Sequence, residues 1–237
     1  MSIVPFQEAY HPSESPDKGL VVVVYGLNPI PGQLDKVVKH FAADNHVFSY
    51  TYGNEVVSTG DPHELPSFIQ KLGTRIEDIS TDYDHERIRT VGASLGACMA
   101  LNIHDRLQLT QAGVYATAGI NVAKNLMYNP VFRLFDVPQR MRRAGHSTKD
   151  VRAIWKDIDI DSDRTLNDTT RFWANASLLD PVVWYPFVKP NLDRLNCHLQ
   201  RSTALGHTAT INEMVNHIAE ATEVADNINP LVVSKKD

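Results

Sequence analysis

Gly92-Ala93-Ser94-Leu95-Gly96 is the stretch that decides the fold of this chain. It matches Gly-x-Ser-x-Gly and joins a short strand-like run, Arg87 to Val91, to a segment that is apolar on nearly every side. A serine on a tight strand-to-helix turn has strained backbone geometry, and flanking glycines let neighbouring backbone approach it. The pattern therefore predicts a nucleophilic serine at the start of a buried helix. The alternative is a glycine-rich turn in which Ser94 only caps the helix.

Strand and helix patterns alternate on both sides of this turn. Leu20 to Tyr25 is continuously apolar and β-branched, which is typical of a strand covered on both faces. Further strands are predicted at His46 to Tyr52, Arg87 to Val91, Ala112 to Ala118, Arg171 to Leu178 and Cys197 to Thr203. Helical spacing is found from Leu34 to Phe41, from Leu65 to Ser80, after Ser94, and in a final helix carrying Ile211, Met214, Val215 and Ile218. Repeated βα units predict an α/β fold, a mostly parallel sheet with helices on both faces.

One interval breaks the alternation. Residues 127–170 mix aromatic residues, a basic cluster and an Asp-rich stretch, so they are expected to form an insertion within a single domain that covers residues 1–237. The residues before Gly19 are expected to lead onto the core, with at most a short strand near Ile3 to Phe6.

The composition is that of an ordinary soluble globular protein. The 237 residues include 23 Lys+Arg and 28 Asp+Glu, a formal net charge of -5, and 43% are hydrophobic. This mild acidity gives no electrostatic reason to expect nucleic acid as a partner, so a small molecule is the expected partner. Two distant cysteines and the lack of an N-terminal apolar segment predict a cytoplasmic protein. No apolar run approaches the roughly 20 residues of a membrane span.

A nucleophilic serine needs a base that is oriented by a third group. His207 follows a predicted strand and Gly206 and opens the last helix, whereas His104, His198 and His217 lie at strand or helix positions without such a loop. Asp180 ends the preceding predicted strand just before Pro181. The alternatives are that His207 is a solvated loop histidine, and that Asp180 only caps its turn while Asp193 or an aspartate of the insertion orients the histidine.

Stabilisation of an oxyanion requires two N–H groups aimed at the oxygen that gains charge. The first is expected from Leu95, directly after the serine. The second is expected from Leu27 in the loop after the first core strand, where Gly26 permits a turn; that loop could also be a plain strand-ending turn.

Through these residues the chain resembles the α/β-hydrolase superfamily over nearly its whole length after residue 18. The resemblance implies that Ser94 is the nucleophile, Asp180 the acid, His207 the base, and 127–170 a cap. Many members have His-Gly where this chain has Tyr25-Gly26, and the N-terminus is short for the family's eight-stranded sheet.

Residues of the cap and of the loop after the first core strand are the candidates for substrate contact. Tyr25, Asn28, Phe132 and Phe135 are predicted pocket residues, although the cap aromatics could simply pack the cap onto the domain. The basic cluster, Arg133, Arg140, Arg142, Arg143 and Arg152, could meet an anionic group or form a solvated face. Asp157 to Asp168 resembles a calcium loop, but Ser162 stands where Gly is required and Asp168 where Glu is required. We therefore expect no metal, and no nucleotide motif or zinc spacing indicates another cofactor.

Together these features predict a serine hydrolase that cleaves an ester, thioester or lactone of a small to medium, partly apolar substrate. The rival interpretation is a non-catalytic protein with the same fold that binds a ligand in the capped pocket. The sequence does not indicate an oligomeric state.

Overall fold

The computed structural model describes residues 6–13, 18–26, 30, 32–53, 55–118, 120, 122–129, 131, 136–160, 164 and 166–229. In this part of the chain seven strands form one sheet, in the order β1-β3-β2-β4-β5-β6-β7. The strands are β1 Phe6–His11, β2 Gly19–Val24, β3 Asn45–Tyr52, β4 Ile88–Ala93, β5 Gly113–Ala116, β6 Phe172–Ser177 and β7 Cys197–Ser202. All neighbours pair in parallel except β1, which runs antiparallel to β3. The predicted α/β sheet is confirmed.

Helices connect the strands and cover both faces of the sheet. They are α1 Gln33–Ala42, α2 Glu55–Ser58, α3 Glu64–Ser80, α4 Leu95–Arg106, α5 Val122–Tyr128, α6 Val137–Arg143, α7 Thr148–Ile154, α8 Tyr185–Leu192, α9 His207–Asn216 and α10 Ile218–Asp226. None of those in the described residues is long and apolar enough to cross a bilayer.

The alternation of side chains along β2 divides the core into two layers. Leu20, Val22 and Val24 pack in one buried cluster with apolar residues of α3, α4 and α8. Val21 and Val23 belong to the opposite cluster, together with residues of α1, α9 and α10. Because successive strand side chains point to opposite faces, a continuous apolar run is what a strand between two helical layers requires.

The interval 127–170 contributes to the first of these clusters. Val137, Met141, Val151 and Trp155 are buried in it together with residues of α3 and α4. Trp155 is fully buried, and its indole N–H donates to the Pro62 carbonyl at 2.5 Å. Helices α6 and α7, which lie within this interval, are therefore joined to the main core through apolar packing.

At the two ends of the described chain, the expected N-terminal strand is only partly described and the expected final helix needs correction. Residues 3–5 of the strand expected near Ile3 to Phe6 lie outside the described residues; the first described strand is Phe6–His11, and its register is set by pairing with β3. The predicted final helix is two helices, since the backbone at His217 (φ −115°, ψ 26°) leaves helical geometry and Ile218 begins α10. Both halves bury apolar residues, so the helical spacing continues across the break.

Replacement of Gly96 tests the packing of α4 against β2. A Cβ at Gly96 would lie 2.3 Å from the Val24 carbonyl oxygen and 2.7 Å from the Tyr25 carbonyl carbon, and neither backbone group can move freely. Gly96→Ala is therefore expected to lower the free energy of unfolding by about 2 kcal/mol, measured by urea denaturation.

The matched control is Gly73→Ala, in the middle of α3. There the new Cβ would meet the flexible end of the Arg106 side chain at 3.0 Å and the Ile103 side chain at an ordinary van der Waals distance of 3.8 Å. Alanine is the better helix former by about 1 kcal/mol, so this variant is expected to be as stable as the wild type or slightly more stable. Equal stability of Gly96→Ala and the wild type would contradict the close approach.

Candidate active site

Ser94 lies on the turn between β4 and α4, in a backbone conformation that L-residues rarely adopt. Its φ is 57° and its ψ −131°, and its N–H donates to the Ala116 carbonyl at 2.9 Å. A Cβ at Gly92 would lie 2.5 Å from the Ala97 Cα, which shows how closely α4 folds back on β4. The glycines on both sides of Ser94 therefore permit the tight turn, and Ser94 makes no side-chain capping hydrogen bond to the helix.

The end of β2 lies directly beside this turn. A Cβ at Gly26 would be 2.8 Å from the Ser94 Cβ and 2.9 Å from the Ala93 carbonyl oxygen. The loop that was predicted to supply an oxyanion donor therefore begins next to the serine. Leu27 and Asn28 themselves lie outside the described residues.

His207 is the first residue of α9 and follows Gly206, whose φ of 98° favours glycine. Its Nε2 lies 2.9 Å from the Ser94 Oγ, and its Nδ1 lies 2.8 Å from the Asp180 Oδ2. A carboxylate can only accept, so the proton of the second contact is on Nδ1. In the neutral ring Nε2 is then free to accept the Ser94 hydroxyl proton.

Asp180 is buried, with its side chain 1% exposed, in the loop three residues after β6. One carboxylate oxygen contacts His207, and the other accepts the Val182 N–H at 2.8 Å and the Val183 N–H at 3.0 Å. A buried charge is tolerated only where hydrogen bonds replace its hydration. These contacts supply that replacement and also fix the plane of the carboxylate.

Four of the acids and histidines weighed as alternatives have different partners. Asp193 is paired with Lys189 in an exposed ion pair. Asp159, in the 127–170 interval, accepts the Ala123 N–H at 3.1 Å. His104 is fully buried against Thr90 and Tyr115, and His217 lies near Glu220. The structure thus brings Ser94, His207 and Asp180 together and holds these alternatives elsewhere.

The residues predicted to supply the oxyanion donor and to line the pocket differ in their positions and burial. Leu95 is the first residue of α4 and half-buried, and a first-turn N–H has no partner within its own helix. Tyr25 is 3% exposed, and its hydroxyl donates to the Gln33 side chain at 2.7 Å. Burial raises the pKa of Tyr25 above its ordinary value. Phe132 and Phe135 lie outside the described residues, so their pocket role stays a prediction.

Two arginines of the basic cluster and Asp159 of the Asp-rich stretch have structural partners. Arg143 pairs with Asp136 at 3.2 Å, and Arg140 donates to the Ser58 carbonyl at 2.7 Å. Across the described ranges no group of three or more potential metal-ligating side chains is found. Residues 161–163 of the calcium-like stretch lie outside those ranges.

Asn175 is a residue near the site that the sequence patterns did not single out. It is fully buried in β6, where its Oδ1 accepts the Thr117 N–H at 3.0 Å and its Nδ2 donates to the Thr210 carbonyl at 2.9 Å. Thr117 directly follows Ala116, which accepts the Ser94 N–H, and Thr210 lies in the first turn of the helix that begins with His207. Asn175 therefore ties the serine side of the site to the histidine side. The sequence does contain a sign of this role, because Asn175 is a polar residue in the middle of a mostly apolar strand.

No protein-family model and no curated protein sequence matches this chain. Solved structures, in contrast, are similar in fold. An acetyl xylan esterase from Paenibacillus sp. R4 has a TM-score of 0.70 at 12% identity, over 93% of this chain and 80% of the esterase chain. The carboxylesterase of Bacillus cereus has a TM-score of 0.60 at 14% identity, over 93% and 94% of the two chains.

A third similar structure is named as an α/β hydrolase enzyme, MGS-M2 from a Medee basin deep-sea metagenome library. Its TM-score is 0.55 at 15% identity, over 93% of this chain and 92% of that chain. The order and direction of the strands, the tight turn at Ser94 and these similarities together show that the chain has the α/β-hydrolase fold.

Proposed function

We propose that this chain is a serine hydrolase that cleaves a carboxylic ester through an acyl-enzyme on Ser94. The observation that carries the proposal is the hydrogen-bonded series Ser94 Oγ, His207 and Asp180, with contacts of 2.9 and 2.8 Å. A nucleophile, a base within hydrogen-bond reach and a third group that orients the base are the arrangement that covalent acyl transfer needs. Esterases among the structures with the same fold support an ester as the substrate.

In the proposed reaction, His207 Nε2 accepts the Ser94 proton as Oγ attacks the ester carbonyl. The carbonyl oxygen gains charge, and the N–H groups of Leu95 and Leu27 are proposed to stabilise it. His207 then protonates the leaving alcohol, and an acyl group remains on Ser94. Water, activated by the same imidazole, releases the acid. Asp180 keeps Nδ1 protonated and stabilises the imidazolium formed in each step.

The cysteines are poor competitors for the role of nucleophile. Cys98 lies one helical turn after Ser94 but is fully buried, and burial raises the pKa of its thiol to about 12. Burial likewise raises the pKa of Cys197 to about 12. At neutral pH both are therefore thiols, and the thiolate is the reactive form.

Exposed apolar side chains beside the proposed site support a partly apolar substrate. Leu178 and Leu179 directly precede Asp180, and Leu205 lies two residues before His207. Leu179 is 56% exposed and Leu205 78% exposed. The Ser177 hydroxyl donates to the Ala204 carbonyl at 2.8 Å, which holds these two loops together. We propose that they contact the apolar part of the substrate, below the 127–170 cap.

A ligand-binding protein without catalysis remains the second candidate because the loop of Tyr25-Gly26 departs from the His-Gly of many family members. Reaction with a fluorophosphonate probe separates the two, since only an activated serine is phosphonylated. We expect the folded wild type to be labelled on Ser94 and Ser94→Ala to be unlabelled. A folded wild type that resists the probe would favour the binding protein.

Replacement of the acid tests the role of Asp180. Asp180→Asn keeps the shape of the side chain but favours the wrong histidine tautomer, so kcat for a chromogenic ester is expected to fall by about 10⁴. Asp193→Asn is the control, because its carboxylate is exposed and paired with Lys189. Near-full activity of Asp180→Asn, or a large loss in Asp193→Asn, would show that another acid acts.

The rate should depend on pH through His207. A protonated imidazole cannot accept the Ser94 proton, so kcat/KM is expected to fall as the pH is lowered from about 8 to about 5. Burial lowers the pKa of His104 to about 4, so this buried histidine stays neutral over that range and does not produce the decrease. A flat profile would contradict the role of His207 as base.

A series of chromogenic esters of increasing acyl length would define the substrate. If Leu179 and Leu205 contact the acyl chain, kcat/KM should rise with chain length by roughly threefold per added methylene until the site is filled. Leu205→Ser is expected to flatten this rise while leaving the hydrolysis of the acetyl ester nearly unchanged. An unaltered chain-length dependence in Leu205→Ser would place the acyl chain elsewhere.

A further inference from the structure

Asn129 lies at the end of α5 and contacts the loop that follows Asp180. It is 1% exposed, and its Nδ2 donates to the Pro181 carbonyl at 2.7 Å and to the Val182 carbonyl at 3.0 Å. Its Oδ1 accepts the Val131 N–H at 2.9 Å. Since Val131 needs an acceptor and the two carbonyls need a donor, this set of contacts fixes the orientation of the amide.

The same two peptide groups make the backbone contacts of Asp180. The carbonyl of Pro181 and the N–H of Val182 belong to one peptide unit, and the carbonyl of Val182 and the N–H of Val183 belong to the next. Both N–H groups donate to Asp180 Oδ1, at 2.8 and 3.0 Å. In each peptide unit the carbonyl oxygen, the negative end of the dipole, therefore points toward Asn129, and the N–H group, the positive end, points toward Asp180.

A second asparagine on the same helix contacts the next residue of this loop. Asn125 is four residues before Asn129, hence on the same side of the helix, and its Oδ1 accepts the Trp184 N–H at 3.1 Å. Residues 181–184 are thus held by hydrogen bonds to the Asp180 carboxylate on one side and to the two asparagines of α5 on the other.

We propose that Asn129 is a positioning residue for the reaction: it aligns two peptide dipoles that hold the Asp180 carboxylate against His207. The inference rests on the proposed function, since it gives these contacts a role in the chemistry of Ser94. It also links the start of the 127–170 segment to the acid. Chains of hydrogen bonds polarise one another, so a donor on the carbonyl strengthens the N–H at the other end of the peptide.

Replacement of Asn129 should shift the pH–rate profile toward higher pH. With Asn129 replaced, the two N–H groups donate less strongly, and Asp180 has more of its charge available for the imidazolium of His207. The protonated imidazole is then favoured, so the acidic limb of the pH–rate profile should move to higher pH. The loosened carboxylate also orients His207 less well, which should lower kcat more than it changes KM.

The test compares Asn129→Leu with Asn191→Leu in the full chain. Asn191 is also a buried asparagine, in α8, but its amide donates to Phe187 and accepts from Arg194. We expect Asn129→Leu to lose about tenfold in kcat, with KM little changed and the acidic limb shifted upward, and we expect the control to keep the wild-type profile. If the leucine variant does not fold, Asn129→Ala, which leaves space rather than strain, should change kcat and the limb in the same direction.

Failure of the role of Asn129 and failure of ester hydrolysis by Ser94 give different experimental results. If the wild type hydrolyses esters and both Asn129 variants keep its kcat and pH profile, Asn129 is not a positioning residue and the proposed function stands. If the Asn129 variants lose only as much kcat as Asn191→Leu does, and the acidic limb of their pH–rate profile does not shift, the role of Asn129 is merely structural and the inference is overturned. A folded wild type without fluorophosphonate labelling would overturn the proposed function, and the inference with it.

Discussion

The structure depends on the close approach of three backbone segments around Ser94. The end of β2 passes so near the turn after β4 that a methyl group at Gly26 or Gly96 would overlap backbone atoms or Ser94 itself. Ser94 occupies a positive-φ conformation within this contact. Such a conformation costs on the order of 1 to 3 kcal/mol, and it persists only where the surrounding packing determines it. Here two covered strands and a buried helix provide that packing.

Polar contacts then extend from this turn across the C-terminal edge of the sheet. His207 lies between Ser94 and Asp180. Asp180 accepts hydrogen bonds from two backbone N–H groups, and the carbonyl groups of the same two peptide units accept from Asn129. Asn175 makes a separate link from the end of β5 to the first turn of α9. The site is thus assembled from loops that follow β4, β5, β6 and β7, each fixed by hydrogen bonds to another. Open α/β sheets place their sites at this edge, where the loops after neighbouring strands converge.

The sequence was informative where a local pattern has a physical cause. Apolar β-branched runs predicted the covered strands, and the glycines around Ser94 predicted its turn, because both follow from sterics within a few residues. The loops carrying Asp180 and His207 could be found from their position after predicted strands. Asn129 and Asn175 could not be assigned partners, since they contact residues more than 30 positions away. The break at His217 was missed because apolar spacing is the same in one helix or in two packed on the same core.

We propose that Ser94 carries the acyl group during turnover. Rapid acid quenching of the wild type with an excess of a chromogenic ester, followed by mass spectrometry of the intact protein and its peptides, tests this directly. We expect the protein mass to increase by one acyl group, with the added mass confined to the peptide that contains Ser94 and missing in Ser94→Ala. Ester hydrolysis without an adduct on Ser94, or with the acyl group on another residue, would contradict it.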